Sequence, residues 1–73
     1  MLVLEAIKGG RFVRIYWRNV KKGVSLLVYM SRNGKVTEKG RAFFSDGRAA
    51  REHSVMLKER ARRQGWKIIE HRR

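Results

Sequence analysis

Cysteine and proline are both absent from the 73-residue chain, histidine occurs twice, and only six Asp and Glu stand against 19 Lys and Arg. Without cysteine there is no disulfide, no Cys-based zinc site and no thiol nucleophile, which suits a reducing compartment. Without proline, nothing forbids a ladder hydrogen bond or breaks a helix. Long apolar runs are missing too. Met1-Leu2-Val3-Leu4 is broken by Glu5 and Lys8, far short of the roughly 20 residues of a membrane span, and it lacks the basic start of a cleavable leader. No glycine-rich phosphate loop occurs. These absences point away from an enzyme, a cofactor, a small-molecule substrate and a membrane partner. They favour a soluble, cytoplasmic protein, nucleoid-associated if bacterial.

What remains is charge. A formal net charge of +13 repels itself in any folded state, and a polyanion is the natural compensation. Because 42% of residues are hydrophobic, with two Trp, two Tyr and three Phe, the charge sits on a foldable domain rather than on a disordered tail. The length fits one domain, residues 1–73, burying only about 60% of its unfolded surface. Duplex DNA is the expected partner, with RNA or an acidic protein as alternatives.

Along the chain, aliphatic residues 2–8 and Gly9-Gly10 predict a strand and a tight turn. Residues 11–18 alternate with period two: Val13, Ile15 and Trp17 share one face, Phe12, Arg14, Tyr16 and Arg18 the other. Residues 19–23 read as a polar loop with Lys21-Lys22 at its tip, and 24–31 as an apolar strand whose edge could pair two copies. Asn33-Gly34 is the hairpin signal, since both tolerate positive φ. Its arms are 24–32 and 35–38, followed by a bulge or turn at Lys39-Gly40 and a short strand over 41–44. Ser45 or Asp46 caps a helix running from about Gly47 to Gln64, with Ala49, Ala50, His53, Met56, Leu57 and Ala61 on its apolar side. Gly65 stops it, residues 66–70 add a last strand, and Arg72-Arg73 form a frayed basic end. The fold class is therefore α+β: a small antiparallel meander of four to five strands with one C-terminal amphipathic helix packed on one face.

Catalytic groups are sparse. His53 falls on the apolar side of the helix, where a packed histidine is expected, and His71 lies in the terminal segment. Glu52 and Glu59 share a helix face, but Arg48 and Arg63 stand four residues away, where ion pairs are the ordinary outcome. Binding residues are better represented. Arg14, Tyr16 and Arg18 alternate guanidinium and aromatic groups, which suits phosphates and bases together. Up to residue 36, Lys8, Arg11, Arg14, Arg18, Lys21, Lys22, Arg32 and Lys35 face a single acid, Glu5. Lys21, Lys22, Arg32 and Lys35 occupy loop tips from which long side chains reach phosphates. The helix stripe Arg48, Arg51, Lys58 and Arg62 is diluted by Glu52 and Glu59 and reads as a solvated face.

Met30-Ser31-Arg32-Asn33-Gly34, Phe44 ten residues on, Ala49-Ala50 and a charged helix ending in Gly65-Trp66 together resemble the WGR domain, over roughly residues 12–68, most of the chain. The resemblance implies a small sheet-plus-helix module that contributes to DNA binding, with Arg32 and Gly34 matching the motif Arg and the Gly after it. Met30 and Ser31 stand where that motif has Trp and Gly. The element order is also similar to the arm-type DNA-binding domains of tyrosine recombinases, which would make the face of Arg14, Tyr16 and Arg18 the reader. The expectation is a stand-alone, non-enzymatic DNA-binding domain that contacts mainly the phosphate backbone through Arg14, Tyr16, Arg18, Lys21, Lys22, Arg32 and Lys35. A small basic protein-interaction module or inhibitor, or an RNA-binding module, is the alternative.

Overall fold

The computed structural model describes residues 1–69. Strands β1 (Leu2–Lys8), β2 (Arg11–Val20), β3 (Gly23–Arg32), β4 (Lys35–Phe44) and β5 (Lys67–Ile69) form one antiparallel sheet ordered β4-β3-β2-β1-β5. A 17-residue helix, α1 (Gly47–Arg63), packs on one face. This is the α+β meander expected from the sequence. After the helix the chain returns across the sheet, and β5 pairs with β1. Glu70 and the basic end His71-Arg72-Arg73 lie outside the described residues. Among the described residues no helix is long and apolar enough to cross a membrane.

Turn chemistry sets the register. Asn33 and Gly34 adopt φ of +52° and +84°, the two left-handed positions of a type I′ hairpin. Gly23 opens β3 at φ +155°, and a Cβ there would stand 2.1 Å from the Phe44 carbonyl oxygen. Only glycine lets β4 turn into the helix so close to β3.

Three expectations for the strands need correction. The polar loop over 19–23 shrinks to Lys21-Lys22, because Asn19 pairs with Val24 and Val20 with Gly23. The β4 irregularity sits at Thr37, not at Lys39-Gly40. Met30 pairs with Glu38 and Ser31 with Val36, leaving Thr37 as the extra residue of a bulge, its hydroxyl donating to the Met30 carbonyl at 3.3 Å. Gly40 needs no special φ and holds an ordinary ladder position opposite Val28. Lastly, residues 24–30 are not an edge: β3 has β2 on one side and β4 on the other, so its backbone groups are already paired.

The helix begins at Asp46, whose carboxylate accepts the Arg48 N–H at 2.9 Å, the expected cap. It ends in a Schellman arrangement: the Trp66 N–H reaches the Ala61 carbonyl, the Gly65 N–H the Arg62 carbonyl, and Gly65 takes φ +88°. Arg60, Arg62 and Arg63 fill the last turn, the favourable end of the helix dipole for cations. Leu4, Ile15, Val24, Leu26 and Ala50 form the buried core, with Val13, Trp17, Val28, Phe44, Leu57 and Ile68 packed around it. Met56 departs from the expected apolar side and is 45% exposed. At about 100° per residue it lies about 120° round from Ala50, whereas Leu57 and Ala61 return to within about 20° of it.

Candidate nucleic-acid interface

Among the described residues, one face of the sheet carries no helix. Alternation along β2 commits Val13, Ile15 and Trp17 to the helix side, where Ile15 is buried, and leaves Phe12, Arg14, Tyr16 and Arg18 on the open side. The strand registers extend this face into rows: Phe12-Ser31-Val36, Glu5-Arg14-Tyr29-Lys39, Tyr16-Leu27-Arg41 and Arg18-Ser25-Phe43. An open groove of about 560 Å³ runs between Arg14, Tyr16, Arg18, Leu27, Tyr29 and Val36. A second hollow, about 450 Å³, continues it along Lys39, Gly40 and Arg41.

Within the groove the side chains hold each other in place. Arg14 Nε donates to Glu5 Oε2 at 3.0 Å, with Glu5 12% and Arg14 51% exposed at the side chain. The Arg14 guanidinium also lies 4.8 Å from the Phe12 ring centroid, a cation–π contact. Tyr16 and Tyr29 meet edge to face, centroids 5.7 Å apart and planes at 76°. The one acid of this face among the described residues, Glu5, is thus bound to the arginine that the sequence placed at its centre.

The seven site residues expected from the sequence do not form one patch. Arg14, Tyr16 and Arg18 come together on the open face. Lys21 and Lys22 form the β2–β3 turn, whereas Arg32 and Lys35 flank the β3–β4 turn. The two turns are separated by the ten residues of β3, a span of roughly 30 Å. Arg32 and Lys35 belong instead to a cross-strand row, Lys8-Arg11-Arg32-Lys35, at the end of the sheet beside the helix C-terminus. There Lys8 Nζ donates to the Gln64 carbonyl and Arg11 lies 5.3 Å from the Trp66 ring.

Sequence reasoning missed Tyr29, Lys39 and Arg41 as members of the open face. Their signal was present: Lys39, Arg41 and Phe43 alternate with Gly40, Ala42 and Phe44. Ending the hairpin arm at Glu38 concealed it.

The helix offers less. Neither Arg48 with Glu52 nor Glu59 with Arg63 closes into an ion pair, and among the described residues the one salt bridge joins Arg14 and Glu5. Both helical pairs are exposed, where such contacts contribute little. His53 is half-buried, its ring 5.1 Å from that of Phe44, and no three His, Asp or Glu of the described residues gather as metal ligands would. Compared with protein-family models, curated proteins and solved structures, the chain finds no match.

Proposed function

We propose that this chain is a non-enzymatic DNA-binding domain that lays the open face of its sheet on a duplex and holds it mainly by phosphate contacts. One observation carries the reading. Arg14, Arg18, Lys39 and Arg41 surround the Tyr16-Tyr29 pair on a face that, among the described residues, carries no helix and one acid, Glu5, which is already bound to Arg14. Phosphates answer such cations, and the Lys21-Lys22 turn extends the reach along the strand direction.

Duplex is favoured over single-stranded RNA by the state of the rings. Stacking on a run of unpaired bases needs several free π-faces, yet Phe12 carries Arg14 and the two tyrosines are engaged with each other, which leaves Phe43 as the one ring of this face without such a contact among the described residues. The acidic-protein alternative keeps one supporting feature, the apolar floor of Leu27 and Val36 in the groove, on which an acidic peptide would pack.

The test is fluorescence anisotropy with a labelled duplex at several salt concentrations. Engaging four or five phosphates gives a log–log slope near about −4, from about −0.9 per contact. Absence of duplex binding at low salt, or an affinity that hardly changes with salt, overturns the proposal. Tighter binding of single-stranded RNA than of duplex transfers the site to the RNA reading. The face is assigned by two double variants, Arg18→Ala with Arg41→Ala and Arg48→Ala with Arg51→Ala. The first pair should weaken binding more and flatten the slope by about two, and the reverse order would move the interface to the helix.

A further inference from the structure

We infer that Phe43, with Arg18 and Arg41, forms a one-nucleotide site that receives an unpaired base; the inference rests on the DNA reading above and names the DNA it prefers. The aromatic side chains of the described residues divide sharply. Phe12 lies under Arg14, Tyr16 meets Tyr29, Phe44 meets His53, Trp66 lies by Arg11, and Trp17 packs against the core. Phe43 alone has no ring, cation or core partner among these residues, and it is 56% exposed.

Its surroundings suit a nucleotide. Phe43 belongs to the open face, because Phe44 beside it turns to the core and because Phe43 pairs with Ser25, itself opposite Arg18. Arg18 is therefore two strands away, roughly 10 Å between Cα atoms, and Arg41 is two residues along β4, roughly 7 Å. A base on the ring would have one cation across the sheet, Arg18, and one along β4, Arg41, within reach of its two flanking phosphates. Ser25 between them is small and 7% exposed, so the floor of the site is closed. β4 is the sheet edge, and no strand blocks entry of an extruded base from the side. The acids nearest along the chain are directed elsewhere: Glu38 holds a register position on the helix side, and the Asp46 carboxylate is turned to the helix N-terminus, where it accepts the Arg48 N–H. A fully paired duplex offers the phosphates but buries its base faces in the stack, leaving Phe43 unused.

The experiment compares a paired duplex with the same duplex carrying one extrahelical 2-aminopurine, by anisotropy and by 2-aminopurine fluorescence. The native chain should bind the bulged duplex about fivefold or more tightly, the lower end of what base–aromatic stacking supplies, and should change the probe's fluorescence. In Phe43→Ala the ratio of the two affinities should fall to about one and the fluorescence change should vanish, whereas Phe43→Trp should retain both. Circular dichroism confirms that each variant is folded, which the exposure of Phe43 leads one to expect. Equal affinity of the native chain for the two duplexes, or a preference that survives in Phe43→Ala, overturns this site while leaving the duplex reading intact. Failure to bind either duplex at low salt overturns both.

Discussion

Arg14 and Arg18 are two residues apart on the same strand face, yet they are not equivalent. Arg14 is bound to a carboxylate with 12% side-chain exposure and covers Phe12, so it is part of the scaffold as well as of the charged surface. Among the described residues Arg18 has no such partner. Removing Arg14 takes a charge-assisted hydrogen bond from a largely desolvated carboxylate, although the half-exposed position of Arg14 lets water relieve some of the loss. Arg14→Ala should therefore lower stability by about 1–2 kcal/mol, a fall in Tm of roughly 5–15 °C for a domain this small. Arg18→Ala should stay within about 0.5 kcal/mol while reducing the salt slope of DNA binding by about one. Thermal melts and anisotropy on the two variants decide it; equal melting temperatures would mean that the Glu5–Arg14 contact contributes nothing. Loss of binding in Arg14→Ala is accordingly a poor assay of phosphate contact, because folding and binding fail together.

At the scale of the element, the helix shows which parts of a pattern sequence can specify. Caps and stops depend on single residues and their neighbours, so Asp46 and Gly65 were legible. The alternation of β2 was legible for the same reason, since period two is a property of the strand itself. Met56 was not, because a stripe of Ala, His, Met and Leu leaves its centre undefined until the helix rotates to fit Leu26 and Ile15. The rotation is settled by Ala50, small enough to let the backbone approach the sheet. The bulge at Thr37 escaped for a similar reason: it is a property of two paired strands, and Lys39-Gly40 looked more like an irregularity than Val36-Thr37 did. That one displacement hid Lys39 and Arg41, half of the cations now placed around the tyrosines. Leu57→Ala should cost about 2–3 kcal/mol, toward the low end for a core leucine because Leu57 is only partly buried. Met56→Ala should change stability by no more than about 0.5 kcal/mol. Chemical denaturation of both measures the helix rotation directly, and a larger loss at Met56 would place the helix about a third of a turn from where it is described.

For the whole molecule, the cations are not confined to one surface. They occupy the open face, the Lys21-Lys22 turn, the Lys8-Arg11-Arg32-Lys35 row and the last helical turn, and across the row like charges stand directly opposite, which destabilises a sheet. The chain carries a net charge of +13, most of it on described residues that span no more than 36 Å, and the unfolded chain spreads the same charge further apart. Screening should relieve the compact state more than the extended one, so salt raises Tm in the absence of DNA. A bound duplex supplies the same relief by another route, stabilising the fold by about 2.7 kcal/mol when its free concentration is 100 times Kd. Salt weakens that binding as counterion release becomes less favourable. The two effects have opposite signs in one titration: from about 50 mM salt upward, Tm of the free protein should climb while the extra Tm conferred by duplex shrinks, and the curves should converge once binding is lost. Differential scanning fluorimetry with and without duplex across a salt series reads both at once. A free-protein Tm that falls with salt would show that attraction among the charges outweighs repulsion, and a duplex increment that persists at high salt would show that something other than phosphate contact holds the DNA.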